Sequence, residues 1–220
     1  MLTPGPMVGN MTALMEAPGG FERPGWARGD ALCEEYYDTE WGVPVVNERG
    51  LYELVALEGF VVGLSWRLVL RRREGLRRAF EGFEPDVVAA YGEEDVRRIL
   101  AADDVIRNER KIRAAITNAQ ATVGLRSDGG LAELVWSAQP AQTPVPRAAE
   151  DVPSVSPESE RLAGALRHRG FVHVGPVTIQ ALMAAAGVID LHLAGSPRRG
   201  CSGLWHRTGR RRARPRLPGA

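Results

Sequence analysis

Apolar positions recur at helical spacing through most of the chain. Leu51, Leu54, Val55 and Glu58 fall at i, i+3, i+4 and i+7, one face of a helix predicted from Glu48 to about Gly59. Ser65 is placed to cap a second helix, Trp66 to Phe80, with Val69, Leu70, Leu76 and Phe80 inward. The outer side of that helix carries Arg67, Arg71, Arg72, Arg73, Arg77 and Arg78 with Glu74 between them. Such a face is usually only solvated, but this excess of arginine leans toward phosphate. Pro85 opens a short helix to Tyr91, and Glu93 to Ala101 follows with Val96, Ile99 and Leu100 inward. The turn Ala102-Asp103-Asp104-Val105 then leads into a helix from about Asn108 to Val123 through Ile112, Ile116 and Ala119. Residues 139–158 are rich in Pro, Ala, Ser and Thr and read as a long connection. Helices resume from Pro157 to Arg169, closed by Gly170, and from Pro176 to about Ala186. Almost nothing reads as strand, so the expected fold class is all-α.

Composition adds limits. The chain has 220 residues, 44% of them hydrophobic, enough for a substantial core. Cys33 and Cys201 match no metal or redox spacing and suit a reducing cytoplasm. No signal peptide is expected, and the longest apolar run, Ala181 to Ile189, is too short to span a bilayer. The net charge of +1 balances +8 from residues 198–220 against −7 before them. Residues 1–22, rich in Gly, Pro and Met, read as a disordered extension. Residues 198–220 read as a disordered Arg-rich tail, with a nonspecific DNA tether as the functional alternative.

Two places carry candidate chemistry. Glu58 and Trp66 stand in the apolar stretch Leu57 to Trp66. A carboxylate among apolar neighbours is costly to bury without partners, so Glu58 is either structural or set to meet a flat ligand with donors on its edge. Trp26, Tyr36, Tyr37 and Trp41 crowd some twenty residues, either as a hydrophobic staple holding a loop-rich N-terminus or as a functional cluster. The two helices around Ala102–Val105 have the shape that can offer backbone N–H groups to a phosphate. Here two acids stand in the turn where glycine is expected.

Several motifs in order carry a resemblance: Arg23-Pro24-Gly25-Trp26, Tyr36-Tyr37-Asp38-Thr39-Glu40-Trp41-Gly42-Val43-Pro44, Leu57-Glu58-Gly59 with Gly63-Leu64-Ser65-Trp66, and Ile106-Arg107-Asn108 with Lys111-Ile112. Val135-Trp136-Ser137, Ser156-Pro157-Glu158-Ser159-Glu160 and Arg169-Gly170-Phe171-Val172-His173-Val174-Gly175-Pro176 complete the series. Together they resemble the DNA-3-methyladenine glycosylase I family of the helix-hairpin-helix DNA glycosylase superfamily, over roughly residues 23 to 195. The resemblance implies a helical bundle with a base pocket between two subdomains, in a domain spanning residues 23–197. It implies a cytoplasmic monomer that hydrolyses the N-glycosidic bond of 3-methyladenine in double-stranded alkylated DNA and so initiates base-excision repair. By resemblance Glu58 is the catalytic acid that reads the base, while Tyr36, Trp66 and Trp26 line the pocket. Leu64 is the wedge entering the vacated stack, and Arg107, Asn108 and Lys111 contact DNA. Lys111 is the only lysine and none lies near the pocket motif, so a monofunctional enzyme without lyase chemistry is expected.

The sequence also departs from the family. Members typically hold a structural zinc, whose positions correspond here to Pro24, Tyr37, His192 and Ser196. Only His192 remains a metal ligand, so neither zinc nor any cofactor is expected. Asp104 replaces a hairpin glycine, Val61 a common glutamine, and Cys33 an occasional pocket tyrosine. These changes leave two rivals: a noncatalytic binder of alkylated bases or DNA, and a glycosylase with altered base preference.

Overall fold

The computed structural model describes residues 23–218. The expected extension over residues 1–22 lies outside the described residues. Among them are nine α-helices: α1 Ala31–Thr39, α2 Glu48–Val61, α3 Trp66–Ala79, α4 Pro85–Ala89, α5 Glu93–Ala101, α6 Glu109–Gly124, α7 Gly130–Ser137, α8 Pro157–His168 and α9 Pro176–Ala185. Extended pairing among the described residues is confined to the isolated bridges Gln142–Arg210 and Trp205–Arg211, so the fold is all-α as expected.

Side-chain caps set several of these boundaries. Asn47, Ser65 and Asn108 accept from Gly50, Leu68 and Lys111 N–H groups at the starts of α2, α3 and α6. Ser156 and Ser159 bond reciprocally at the start of α8. That helix closes on Gly170, whose φ is 88°, with Gly170 N–H donating to Arg167 O and Phe171 N–H to Leu166 O, the paired bonds of a Schellman turn.

Helix α2 is the axis. Leu51, Tyr52, Val55, Ala56, Leu57, Glu58, Gly59 and Phe60 are all buried, and α3, α6, α7 and α9 pack around it. A helix buried on this many sides belongs to the interior, and Glu58 is therefore carried into the core by its neighbours.

Three expectations need correction. Helix α1 lies where the aromatic-rich segment suggested loop. Asp30 caps it by accepting from Cys33 N–H, and Cys33, Tyr36 and Tyr37 are buried. The Arg-rich segment from residue 198 to 218 is folded against the domain instead of trailing away. Arg199 is 2% exposed and donates to the carbonyls of Asp190, His192, Pro144 and Arg207. Leu204 and Trp205 are buried, and Arg211 N–H donates to Ala141 O. Arginine thus serves here as a donor to otherwise orphaned carbonyls.

The arginine face of α3 is also spoken for within the protein. Arg67 and Arg71 reach Asp30, Arg73 grips Glu40 through two bonds, and Arg77 joins Glu53 and Glu74. Arg78 pairs with Asp104 and Arg72 donates to Asp103 O. These contacts dock α1, α2 and the α5–α6 turn onto α3. Gly75 allows the closest of them: a Cβ there would overlap the Asp104 carbonyl.

Candidate active site

A cavity of about 570 Å³ opens beside the C-terminal end of α2. One side is Glu58, the α2–α3 loop from Val61 to Leu64, Trp66, Trp26 and Trp41. The other is α9, through Val177, Thr178, Gln180, Ala181 and Ala184, with Val152, Pro153 and Ser154 before α8. The size and apolar lining suit a small flat ligand with few polar anchors.

Glu58 is 7% exposed and has no hydrogen-bond partner among the described side chains and backbone. Burial alone pushes its carboxyl up from 4.5 to about 8, because the charged form loses water without gaining donors. At neutral pH the acid is mostly neutral, and a cationic guest would restore the carboxylate. A strongly perturbed acid inside a cavity is the combination expected of a functional site. Trp66 lines the cavity through its ring, while its indole Nε1 is buried without a partner.

The remaining sequence candidates separate. Trp26 and Trp66 line the cavity, and Leu64 sits at its rim 38% exposed. Gly63, with φ of 78°, turns the chain so that Leu64 projects there; a side chain at that backbone angle would be strained. Tyr36 does not line the cavity. It lies behind the tryptophans, with ring centroids 5.3 Å from Trp66 and 6.3 Å from Trp26, and Arg73 sits 5.7 Å from its ring centroid. Its phenol is pushed well up by burial and by the nearby Glu58, so it stays protonated and holds Trp66 in place.

The three residues expected on DNA are engaged inside the protein. Arg107 pairs with Asp103 and donates to Ala102 O at 2.9 Å. Asn108 caps α6. Lys111 Nζ donates to Phe60 O at 2.7 Å and to Val62 O. The sequence reading missed Trp41 as a wall, although it stood in the aromatic cluster. It also missed the whole α9 side, whose small apolar residues carry no mark.

The positions that the resemblance assigned to zinc do meet in part. Tyr37 Oη lies 3.1 Å from Ser196 Oγ, and the His192 ring stands edge-on to Tyr37 and Trp41 at 5.3 and 4.6 Å. His192 Nδ1 is 2.8 Å from Asp190 Oδ1, and its Nε2 is buried without a partner. Two hydroxyls and one imidazole do not fit zinc, which takes thiolate, imidazole and carboxylate donors. Burial pushes the Tyr37 phenol up to about 12, which keeps it neutral. No group of three or more His, Cys, Asp or Glu side chains is placed to hold a metal among the described residues.

Helices wrapped on a central α2, the α5–α6 hairpin, and a buried acid beside tryptophans in the wall of one cavity are the features of a helical DNA glycosylase. The family model for methyladenine glycosylase matches residues 26–199. A DNA-3-methyladenine glycosylase from Escherichia coli is 39% identical over 177 residues, 79% of this chain and 95% of that protein. A solved 3-methyladenine DNA glycosylase I is 38% identical with a TM-score of 0.77, covering 80% of this chain and 98% of that one. The Staphylococcus aureus enzyme, solved to explain 3-methyladenine recognition, is 30% identical with a TM-score of 0.74, covering 77% and 92%. This chain belongs to the methyladenine glycosylase family.

Proposed function

We propose that this chain hydrolyses the N-glycosidic bond of 3-methyladenine in double-stranded alkylated DNA, as a cytoplasmic monomer without metal or redox cofactor, and so starts base-excision repair. The observation that supports the reading is the buried, unpartnered Glu58 beside Trp66 and Trp26 in the wall of one cavity.

Methylation at N3 makes adenine cationic while it is bonded to the sugar. The base is then a good leaving group without further protonation. Extruded into the cavity, it meets the tryptophan faces, which attract a desolvated cation by ~2 kcal/mol or more. Glu58 ionises against that cation and accepts from the base edge, whereas neutral adenine gives the carboxyl no reason to lose its proton. Selectivity for the damaged base is thus coupled to the ionisation of Glu58. As the C1′–N bond breaks, the base leaves with both electrons as a neutral molecule. The sugar passes through an oxocarbenium-like state; water adds at C1′ and loses a proton. Leu64 then fills the emptied stack, a role its exposure at the cavity supports. Lys111, the only lysine, is bound to two carbonyls, which supports monofunctional hydrolysis over Schiff-base chemistry.

The test is to incubate methylated duplex DNA with the protein and with Glu58→Gln, and identify the released bases by chromatography. The reading predicts 3-methyladenine release by the wild type and a loss of about 10²-fold or more in the variant. A folded protein that binds 3-methyladenine but releases no base would instead be a noncatalytic binder.

A further inference from the structure

We propose that Lys111 is a positioning residue that holds the pocket loop and Leu64 in place from the DNA-facing hairpin. The α2–α3 connection is short and makes one left-handed turn. Helix α2 ends at Val61, Gly63 takes a left-handed angle, and α3 begins after Ser65. Val61, Val62, Gly63 and Leu64 all line the cavity, so small movements here change both the base site and the wedge. The carbonyls at the end of α2 point away from further helix and need donors. Leu64 N–H serves Val61 O at 2.7 Å. Phe60 O and Val62 O, on either side of it, are both served by Lys111 Nζ.

The donor comes from the first turn of α6, fixed by the Asn108 cap, immediately after the hairpin. A positive ammonium at the negative end of α2 adds to the hydrogen bonds themselves. Burial lowers the Lys111 amine below its ordinary value, consistent with a group facing protein more than water. One side chain thus joins the helix that begins at the hairpin to the loop that forms the base site. Tyr52, one α2 turn below Ala56, adds a parallel tie by donating to Ala115 O of α6 at 3.0 Å. Helices α2 and α6 therefore move together, and Lys111 extends that unit into the loop.

This inference rests on the glycosylase reading for its catalytic consequence, but its structural part stands apart and is tested separately. Wild type, Lys111→Met and the milder Lys111→Gln, each checked for folding by thermal melting, are compared in three measurements. Amide hydrogen exchange is followed over the peptide spanning residues 60–68. Single-turnover release of 3-methyladenine is measured on methylated duplex. Affinity for undamaged duplex is measured against salt concentration. Lys111→Met is expected to speed exchange in the loop and to slow release by roughly 10–100-fold, the scale of a ~1 Å misplacement of reacting groups. Lys111→Gln, keeping one donor, should fall between. The salt slope of duplex binding should not change. Unchanged loop exchange would overturn the proposal whatever happens to release. A salt slope reduced by about one, with release at saturating DNA intact, would also overturn it by making Lys111 a phosphate contact. If the wild type releases no 3-methyladenine, the glycosylase reading fails, and the exchange measurement still decides the role of Lys111.

Discussion

Replacing Glu58 with glutamine should stabilise this protein, by an amount that grows with pH. The carboxyl is held at about 8 in the folded chain against an ordinary 4.5. The folded state therefore keeps a proton that the unfolded state gives up between those values. Stability associated with that proton is fully present below pH 4.5 and is lost as pH rises through 8. Each pH unit in the window is worth about 1.4 kcal/mol, so the ionised acid costs up to ~5 kcal/mol at pH 8 and above. Structural relaxation or water entry could halve this. Glutamine has nearly the same shape and does not titrate, so Glu58→Gln escapes the whole pH-dependent cost. Thermal melts of both proteins at pH 5, 6, 7 and 8 measure it directly. At about 2–4 °C per kcal/mol for a domain of this size, the advantage of the variant should widen by roughly 5–15 °C from pH 5 to pH 8. A difference in Tm that stays flat with pH, or a variant less stable than wild type at pH 8, would refute the claim that Glu58 is buried without a partner.

Other positions give separate tests. Gly75→Ala places a methyl against the Asp104 carbonyl and should cost ~1–3 kcal/mol in urea denaturation; an unchanged midpoint would mean the hairpin does not rest on α3. Arg199→Met strips donors from four carbonyls and from the neighbourhood of Asp190, 3.7 Å away, so a loss of about 3 kcal/mol or more is expected. Removing residues 199–220 should destabilise at least as much, whereas an inert tail would leave the melt untouched. Tyr37→Phe loses the bond to Ser196 and about 1 kcal/mol, and chelators should not move the wild-type Tm. Finding about one tightly bound zinc per chain would show that the donor set had been misread.

Helices α2, α3, α6 and α8 could be read from an aliphatic stripe and a side-chain cap, α4 and α9 from the proline that opens them, and α5 from its inward Val96, Ile99 and Leu100. Helix α1 escaped because its inward positions are Cys33, Tyr36 and Tyr37, which read as a staple; the Asp30 cap was the available signal. The arginines of α3 misled because their partners, Asp30, Glu40, Glu53 and Asp104, lie far away in sequence. Helical spacing carries no trace of such pairs. The tail misled for a related reason. Composition registers the charge of Arg199 but not the carbonyls that surround it. In the site, Glu58 and Trp66 stood out as a polar and an aromatic break in an apolar run. Tyr36 was named for the cavity but lies one layer behind it, a distinction that depends on ring placement. Lys111 was assigned to DNA by resemblance, and only the end of α2 reveals what it holds.

An ionisable Glu58 meeting a cationic base is the central requirement of the proposed chemistry. The most direct measurement is kcat/KM for 3-methyladenine release from methylated duplex between pH 5.5 and 9, for wild type and Glu58→Gln, because this ratio reports the free enzyme. Wild-type activity should rise with pH through a half-maximum near 8, while the variant stays low and shows no such rise. A variant that releases 3-methyladenine at the wild-type rate across this range would contradict the account.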